Sequence, residues 1–245
     1  MTRKTVLLAL LAVLVATSGC SGLSNDTTTT PQSNVDAAAV QSQALAAMEN
    51  ASTYAYELTG TQHVQGATVT YDASGVVNRD RKRMHANTTA TATKGDRTNT
   101  VETETYVVND TRYISREGVW RTQPLERDAW SQNALGRQRD ILAGADVSYV
   151  NTTTVEGVET YAISVDPGET SLENYVKTRS DVSGDVSVED VHVVQYIAVD
   201  THRLRKVSLE MTISVNGQTV DQQFSLTYSD YGTETTIEVP DEATN

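Results

Sequence analysis

Residues 204–229 read LRKVSLEMTISVNGQTVDQQFSLTYS, and the fold follows from how this stretch is read. Val207, Leu209, Met211, Ile213 and Val215 recur at every second position, with Ser208, Glu210, Thr212 and Ser214 between them. That period belongs to a β-strand with one apolar and one polar face. After Asn216-Gly217, Val220, Phe224, Leu226 and Tyr228 share a face opposite Thr219, Asp221, Gln223 and Ser225. Asn-Gly supplies the positive φ angles of a two-residue hairpin turn, so strands over Leu204–Val215 and Thr219–Tyr228 are expected to pair antiparallel. One side of such a sheet is buried or binds something apolar, and the other is wet.

The same grammar extends in both directions. Thr53–Val64, Ala67–Asn78, Arg83–Thr93 and Thr98–Val108 are rich in Thr, Val and Tyr, as are Val147–Val150, Glu159–Val165 and Asp190–Val199. Gln65-Gly66, Lys94-Gly95-Asp96 and Asn109-Asp110 punctuate them, and this composition favours antiparallel strands. Ahead of them, Ser33-Asn34-Val35-Asp36 offers a helix start, and Val40, Ala44, Leu45 and Met48 lie on one face of an α-helix over Ala37–Met48. Two weaker helical stretches are expected at Leu125–Ala143, broken at Gly136, and at Gly168–Arg179. No Pro- or Gly-rich linker divides residues 35–240, which read as one domain of mostly antiparallel α+β class, with 241–245 as a tail.

Residues 1–34 carry an address. Arg3 and Lys4 precede an apolar run, Val6 to Ala16, too short to span a bilayer, and Thr17-Ser18-Gly19 follow. The pattern is an export signal over residues 1–19. Cys20, the only cysteine, stands directly after Ser18-Gly19. This resembles a lipobox, whose cysteine is lipidated and becomes the first residue of the mature chain; a plainly cleaved signal and an uncleaved anchor are the alternatives. Lipidation would remove a free thiol from an oxidising exterior, where a lone cysteine has no internal disulfide partner. Residues 21–34 hold almost nothing that can be buried and read as a flexible tether. Five acceptor sequons, at Asn25, Asn50, Asn87, Asn109 and Asn151, agree with a cell-surface location.

The formal charge is −13, with 32 acidic against 19 basic residues. That sign repels phosphate backbones, so nucleic-acid binding is disfavoured. The acidity is either ordinary solubility or adaptation to strong salt, and the scarcity of lysine and phenylalanine resembles secreted haloarchaeal proteins. At molar salt the Debye length is about 3 Å, which screens self-repulsion. The haloadapted reading expects a melting temperature that falls as salt is withdrawn; an unchanged one would contradict it.

Catalytic signals are sparse. His63, His85, His192 and His202 show no paired spacing for a metal, and no serine lies in a G-x-S-x-G setting. Glu102 and Glu104 project from one strand face as a solvated pair. Loose cation binding by Asp181, Asp185 and Asp190 stays open. The tyrosines, with Trp120 and Trp130, either fill the core of a domain poor in phenylalanine or line an apolar cavity. No acid, base, nucleophile or metal constellation emerges, so neither an enzyme nor a cofactor is expected.

The order of elements carries a resemblance. A candidate lipidated cysteine and tether precede an Ala-rich helix ending in NASTYAYELTG; YVVNDTRYISREGVW and VEGVETYAISVDP follow, and the chain closes on YIAVDTHRLRKVSLEMTISVNGQ and FSLTYSDYGTETTIEVP. This is similar to haloarchaeal surface lipoproteins and, more distantly, to the lipoprotein-carrier superfamily that includes LolA, LolB and the mycobacterial LppX and LprG proteins. The resemblance implies a strongly curved sheet, an unclosed half-barrel, with helices covering its concave face and an apolar cavity for acyl chains. Val207, Leu209, Met211, Ile213, Phe224 and Leu226 would line that cavity. The expected function is a non-catalytic domain, lipid-anchored at the membrane and facing the cell exterior, that binds a lipid, isoprenoid or quinone. The alternative is an envelope protein-interaction or sensor module with no ligand cavity.

Overall fold

The computed structural model describes residues 35–125, 130, 133–168 and 185–244. Among these, eleven strands form one sheet: β1 (Thr53–Val64), β2 (Ala67–Asn78), β3 (Arg83–Lys94), β4 (Arg97–Val108), β5 (Thr111–Arg116), β6 (Val119–Pro124), β7 (Asp146–Val155), β8 (Val158–Asp166), β9 (Val186–Ala198), β10 (Leu204–Val215) and β11 (Gln218–Ser229). Their order is β6-β5-β4-β3-β2-β1-β11-β10-β9-β8-β7, antiparallel throughout. Two meanders are therefore joined at the middle by β1 against β11, the first strand against the last. The sheet is strongly curved and does not close, which leaves β6 and β7 as edges.

The founding hairpin folds as its sequence dictates. Asn216 and Gly217 take φ of 52° and 75°, the left-handed conformations that a tight two-residue turn demands. Val207 faces Leu226, Leu209 faces Phe224, Met211 faces Gln222 and Ile213 faces Val220. The apolar residues of both strands thus share one face.

Curvature has local causes. Register shifts interrupt β10 against β9 at Leu204/Lys206 and Thr212/Ile213, and β7 against β8 at Tyr149/Asn151; such bulges bend and twist a strand. Gly60 in β1 faces Phe224, and a Cβ there would overlap the phenylalanine ring. Gly75 in β2 faces Tyr56, and a Cβ there would lie 2.5 Å from Tyr56 Cε1. Both rings lie across bare backbone, so bulky side chains fit inside the bend.

Two helices occupy the inner face. Asp36 caps α1 (Ala37–Glu49), its carboxylate accepting from the Ala38 and Ala39 amides. The C-terminal carbonyls of α1 have no basic residue of their own nearby in sequence. Arg79, in the turn between β2 and β3, supplies the charge: its Nη1 donates to the carbonyls of Met48, Glu49 and Ala51 at 3.1, 3.0 and 2.9 Å. Helix α2 (Ala134–Ala143) is capped by Asn133. Gln41 of α1 ties the two helices together by donating to the carbonyls of Leu142 and Ala145. Val40, Ala44 and Met48 of α1 and Leu135 and Leu142 of α2 then bury against Tyr54, Val77, Ile163, Val193, Leu204, Val207 and Tyr228.

Four points differ from expectation. The helix anticipated over Leu125–Ala143 begins at Ala134, and Leu125 follows directly on β6. Gly136 does not break it, because this glycine lies in the first turn, where its N–H donates to Asn133 Oδ1. Strands β5 and β6 were not expected as separate elements. Residues 241–243 form a 3-10 turn with Ala243 buried, so the fold continues past residue 240. The stretch expected as a helix from Gly168 to Arg179 lies, beyond Gly168, outside the described residues. Among the described residues no helix is long and apolar enough to cross a membrane.

Candidate functional site

The inner face continues past the helices. Going outward from the helix-covered core along β10, Val207 is buried in that core and Leu209 is half-buried against both apolar clusters. Met211 and Ile213 then lie in a second cluster with Val69, Tyr71, Val186, Val220 and Phe224. Leu226 of β11, opposite Val207, packs at the margin of the first cluster. All six residues expected to line a cavity therefore share one face of two neighbouring strands. Val207 belongs to the helix core, while Met211, Ile213 and Phe224 belong to the second buried cluster beyond it.

Within that second cluster the Tyr71 ring stacks on Phe224 at 5.5 Å and 26°. The Tyr71 hydroxyl, whose pKa burial pushes up, donates to Gln62 Oε1 at 3.1 Å. Gln222 stands directly between Gln62 on β1 and Met211 on β10. The residue is 3% exposed, and neither amide atom has a hydrogen-bond partner among the described residues. Sequence reading passed over both glutamines. The available signal was their register: each takes the inward place of a strand whose other inward residues are mostly apolar.

The helix end of the face is anchored by tyrosines. Tyr54 donates to Asn133 Oδ1 at 2.7 Å and Tyr228 to the Ala134 carbonyl at 3.0 Å, so two buried hydroxyls hold the start of α2. Tyr231 donates to the Leu204 carbonyl at 2.7 Å. The alternative in which tyrosines fill the core holds for this group.

The outer face carries a separate cluster. His85 Nε2 and the Tyr106 hydroxyl each lie 3.0 Å from Glu104 Oε1, and the His85 and Tyr106 rings stack at 4.3 Å. The Tyr106 pKa is pushed up to about 12, first by desolvation and then by the bond to Glu104 and its charge. Glu104 is thus partnered rather than simply solvated beside Glu102. No group of three metal-ligating side chains occurs among the described residues. Asp181 lies outside them, as do Cys20 and Asn25. Asn50, Asn87, Asn109 and Asn151 are all exposed, but Asn50 Nδ2 donates to the Ala46 carbonyl at the end of α1, a bond that a glycan would disturb.

Two open pockets lie elsewhere. One, of about 270 Å³, is lined by Ile114, Arg116, Val119, Arg121 and Gln123 on the edge hairpin β5–β6. The other, of about 340 Å³, lies at the end of α1 and includes Asn50, Arg79, Asp80, Lys82 and Trp130. Neither contains any of the six inner-face residues.

Comparison with solved structures finds the same fold. The Mycobacterium tuberculosis lipoprotein LppX aligns over 82% of this chain and 99% of its own, with TM-score 0.51 and 16% identity. LprF from Mycobacterium bovis aligns over 82% and 95%, with TM-score 0.50 and 16% identity. A LolA superfamily protein from Nitrosomonas europaea covers 85% of this chain and 96% of its own at 10% identity, but its TM-score of 0.29 carries no argument. At such identities the likeness is one of fold alone, and at that level it agrees with the half-barrel expected from the sequence. Comparison with curated proteins finds no match. One family profile matches residues 34–245, which include every described residue, and the chain accordingly belongs to that family, the family of unknown function DUF6612.

Proposed function

We propose that this chain is a non-catalytic binding domain that holds one hydrophobic molecule, a lipid, isoprenoid or quinone, against the inner face of its curved sheet. The observation that carries the reading is Leu209. It is half-buried, points inward, and touches both the helix-covered core and the cluster around Met211 and Phe224. An apolar chain laid along β10 and β11 would remove Leu209 and Leu226 from water, at about 25 cal/mol for each Å² of apolar surface covered. The fold shared with the lipoprotein LppX and with LprF supports the same reading.

Anchoring completes the proposal. Cys20 carries a lipid, residues 21–34 form the tether, and the domain faces the cell exterior. With the native chain, membrane fractions are expected to hold the protein and Cys20→Ser to release it; a variant that stays membrane-bound would remove the anchor. For the domain, titration of the purified chain with the neutral dye N-phenylnaphthylamine is expected to give a saturable fluorescence gain at one site. Leu209→Gln, which keeps the side-chain size but wets the inner face, is expected to weaken it about tenfold, in line with roughly 1–2 kcal/mol for polar substitution at such a surface. Absence of any saturable gain would overturn the reading.

A further inference from the structure

We propose that Gln222 is the polar contact of this ligand site, hydrogen-bonding a single uncharged oxygen function, an ester, hydroxyl or ketone, on an otherwise apolar ligand. The inference rests on the inner face being the ligand site. Gln222 is 3% exposed, yet its Nε2 and Oε1 both lack a partner among the described residues. Buried side-chain amides in native proteins are nearly always satisfied, so a doubly orphaned one calls for a reason. A leucine or methionine would fill the same inward position without that penalty.

The neighbours do not supply the missing bonds. Gln62, directly across on β1, has its Oε1 engaged by the Tyr71 hydroxyl. Met211, across on β10, and Val220 and Phe224, the next inward residues on β11, are apolar. The charged residues at this level project the other way: Asp221 accepts from the Thr212 hydroxyl, and Glu210 accepts from Gln223. Among the described residues an ionised headgroup would thus find no counter-charge beside Gln222, whereas an amide offers both a donor and an acceptor to a neutral oxygen.

A second buried glutamine sharpens the contrast. Gln195 Oε1 also lacks a partner among the described residues, but its Nε2 donates to the carbonyl of Gln138 in α2. It therefore serves the helix-covered core. Among the described residues Gln222 has no such partner, and its neighbours Met211, Val220 and Phe224 belong to the cluster beyond the helices.

The test compares two ligands of one length on the full chain and on Gln222→Leu, with Gln222→Met as a second variant of closer shape. Decane and decanol each displace bound N-phenylnaphthylamine, and the displacement midpoint is read. The expected result is that Gln222→Leu weakens decanol about tenfold while decane binds as well as before or better. Both variants are expected to melt no lower than the native chain, since each removes an orphaned amide. A variant that shifts both ligands equally, or neither, overturns the role of Gln222 and leaves the site standing. If neither ligand displaces the dye from the native chain, the site itself fails and this proposal with it.

Discussion

Replacing Tyr228 with alanine is expected to cost about 4 kcal/mol of folding stability, within the roughly 3–5 kcal/mol range for truncating a buried aromatic. The ring is fully buried, its centroid is 5.9 Å from that of Tyr54, and its hydroxyl donates to the Ala134 carbonyl at the start of α2. The alanine variant therefore opens a cavity and removes the hydrogen bond that ties β11 to the start of α2. Total stabilities are about 5–15 kcal/mol, so the loss is a large share of the whole. Urea unfolding checks it: the midpoint should fall sharply with an unchanged slope. Tyr228→Phe keeps the ring and isolates the hydrogen bond, at about 1 kcal/mol. A loss below about 1 kcal/mol for alanine would show that the helices do not depend on this tyrosine.

Alkaline pH should unfold the domain through the same cluster. Burial, the leading cause in each case, raises the pKa of Tyr54, Tyr228 and Tyr231 above the ordinary value of 10.0. Because the folded values lie above the unfolded one, the neutral hydroxyls favour the fold, and their contribution is fully present below about pH 10. Above it the unfolded chain gives up these protons while the folded chain keeps them, so stability falls. The slope approaches about 1.4 kcal/mol per pH unit for each tyrosine. Urea midpoints should agree between pH 7 and 9 and drop steeply between pH 10 and 11. Tyr54→Phe, which removes one of these protons, should flatten that drop. Equal midpoints at pH 9 and 11 would contradict the tyrosine anchor.

Much of the architecture was legible because local signals agree with it. Alternation over 204–229, with Asn-Gly between, fixed a hairpin whose bounds the structure reproduces within a residue or so. β1 and β2 were equally plain. The pairing of β1 with β11 was not legible, since it joins strands about 160 residues apart and no local pattern encodes it. β5 and β6 escaped because they are short and arginines sit at Arg112, Arg116 and Arg121, with β6 largely exposed. Glu117-Gly118, with both residues at positive φ, was the turn signal that would have revealed them. Gln222 escaped for the opposite reason. The apolar face was recognised by its Val and Leu positions, and the polar residue in the inward series was skipped as a gap rather than read as a site.

The central claim is that the inner face holds a hydrophobic molecule, and extraction tests it most directly. The protein, purified without detergent exchange from the cells that make it, is extracted with organic solvent, and the extract is weighed by mass spectrometry against the protein recovered. The account predicts close to one apolar molecule per chain, carrying an uncharged oxygen function. An empty protein that instead co-purifies with a stoichiometric protein partner would contradict it.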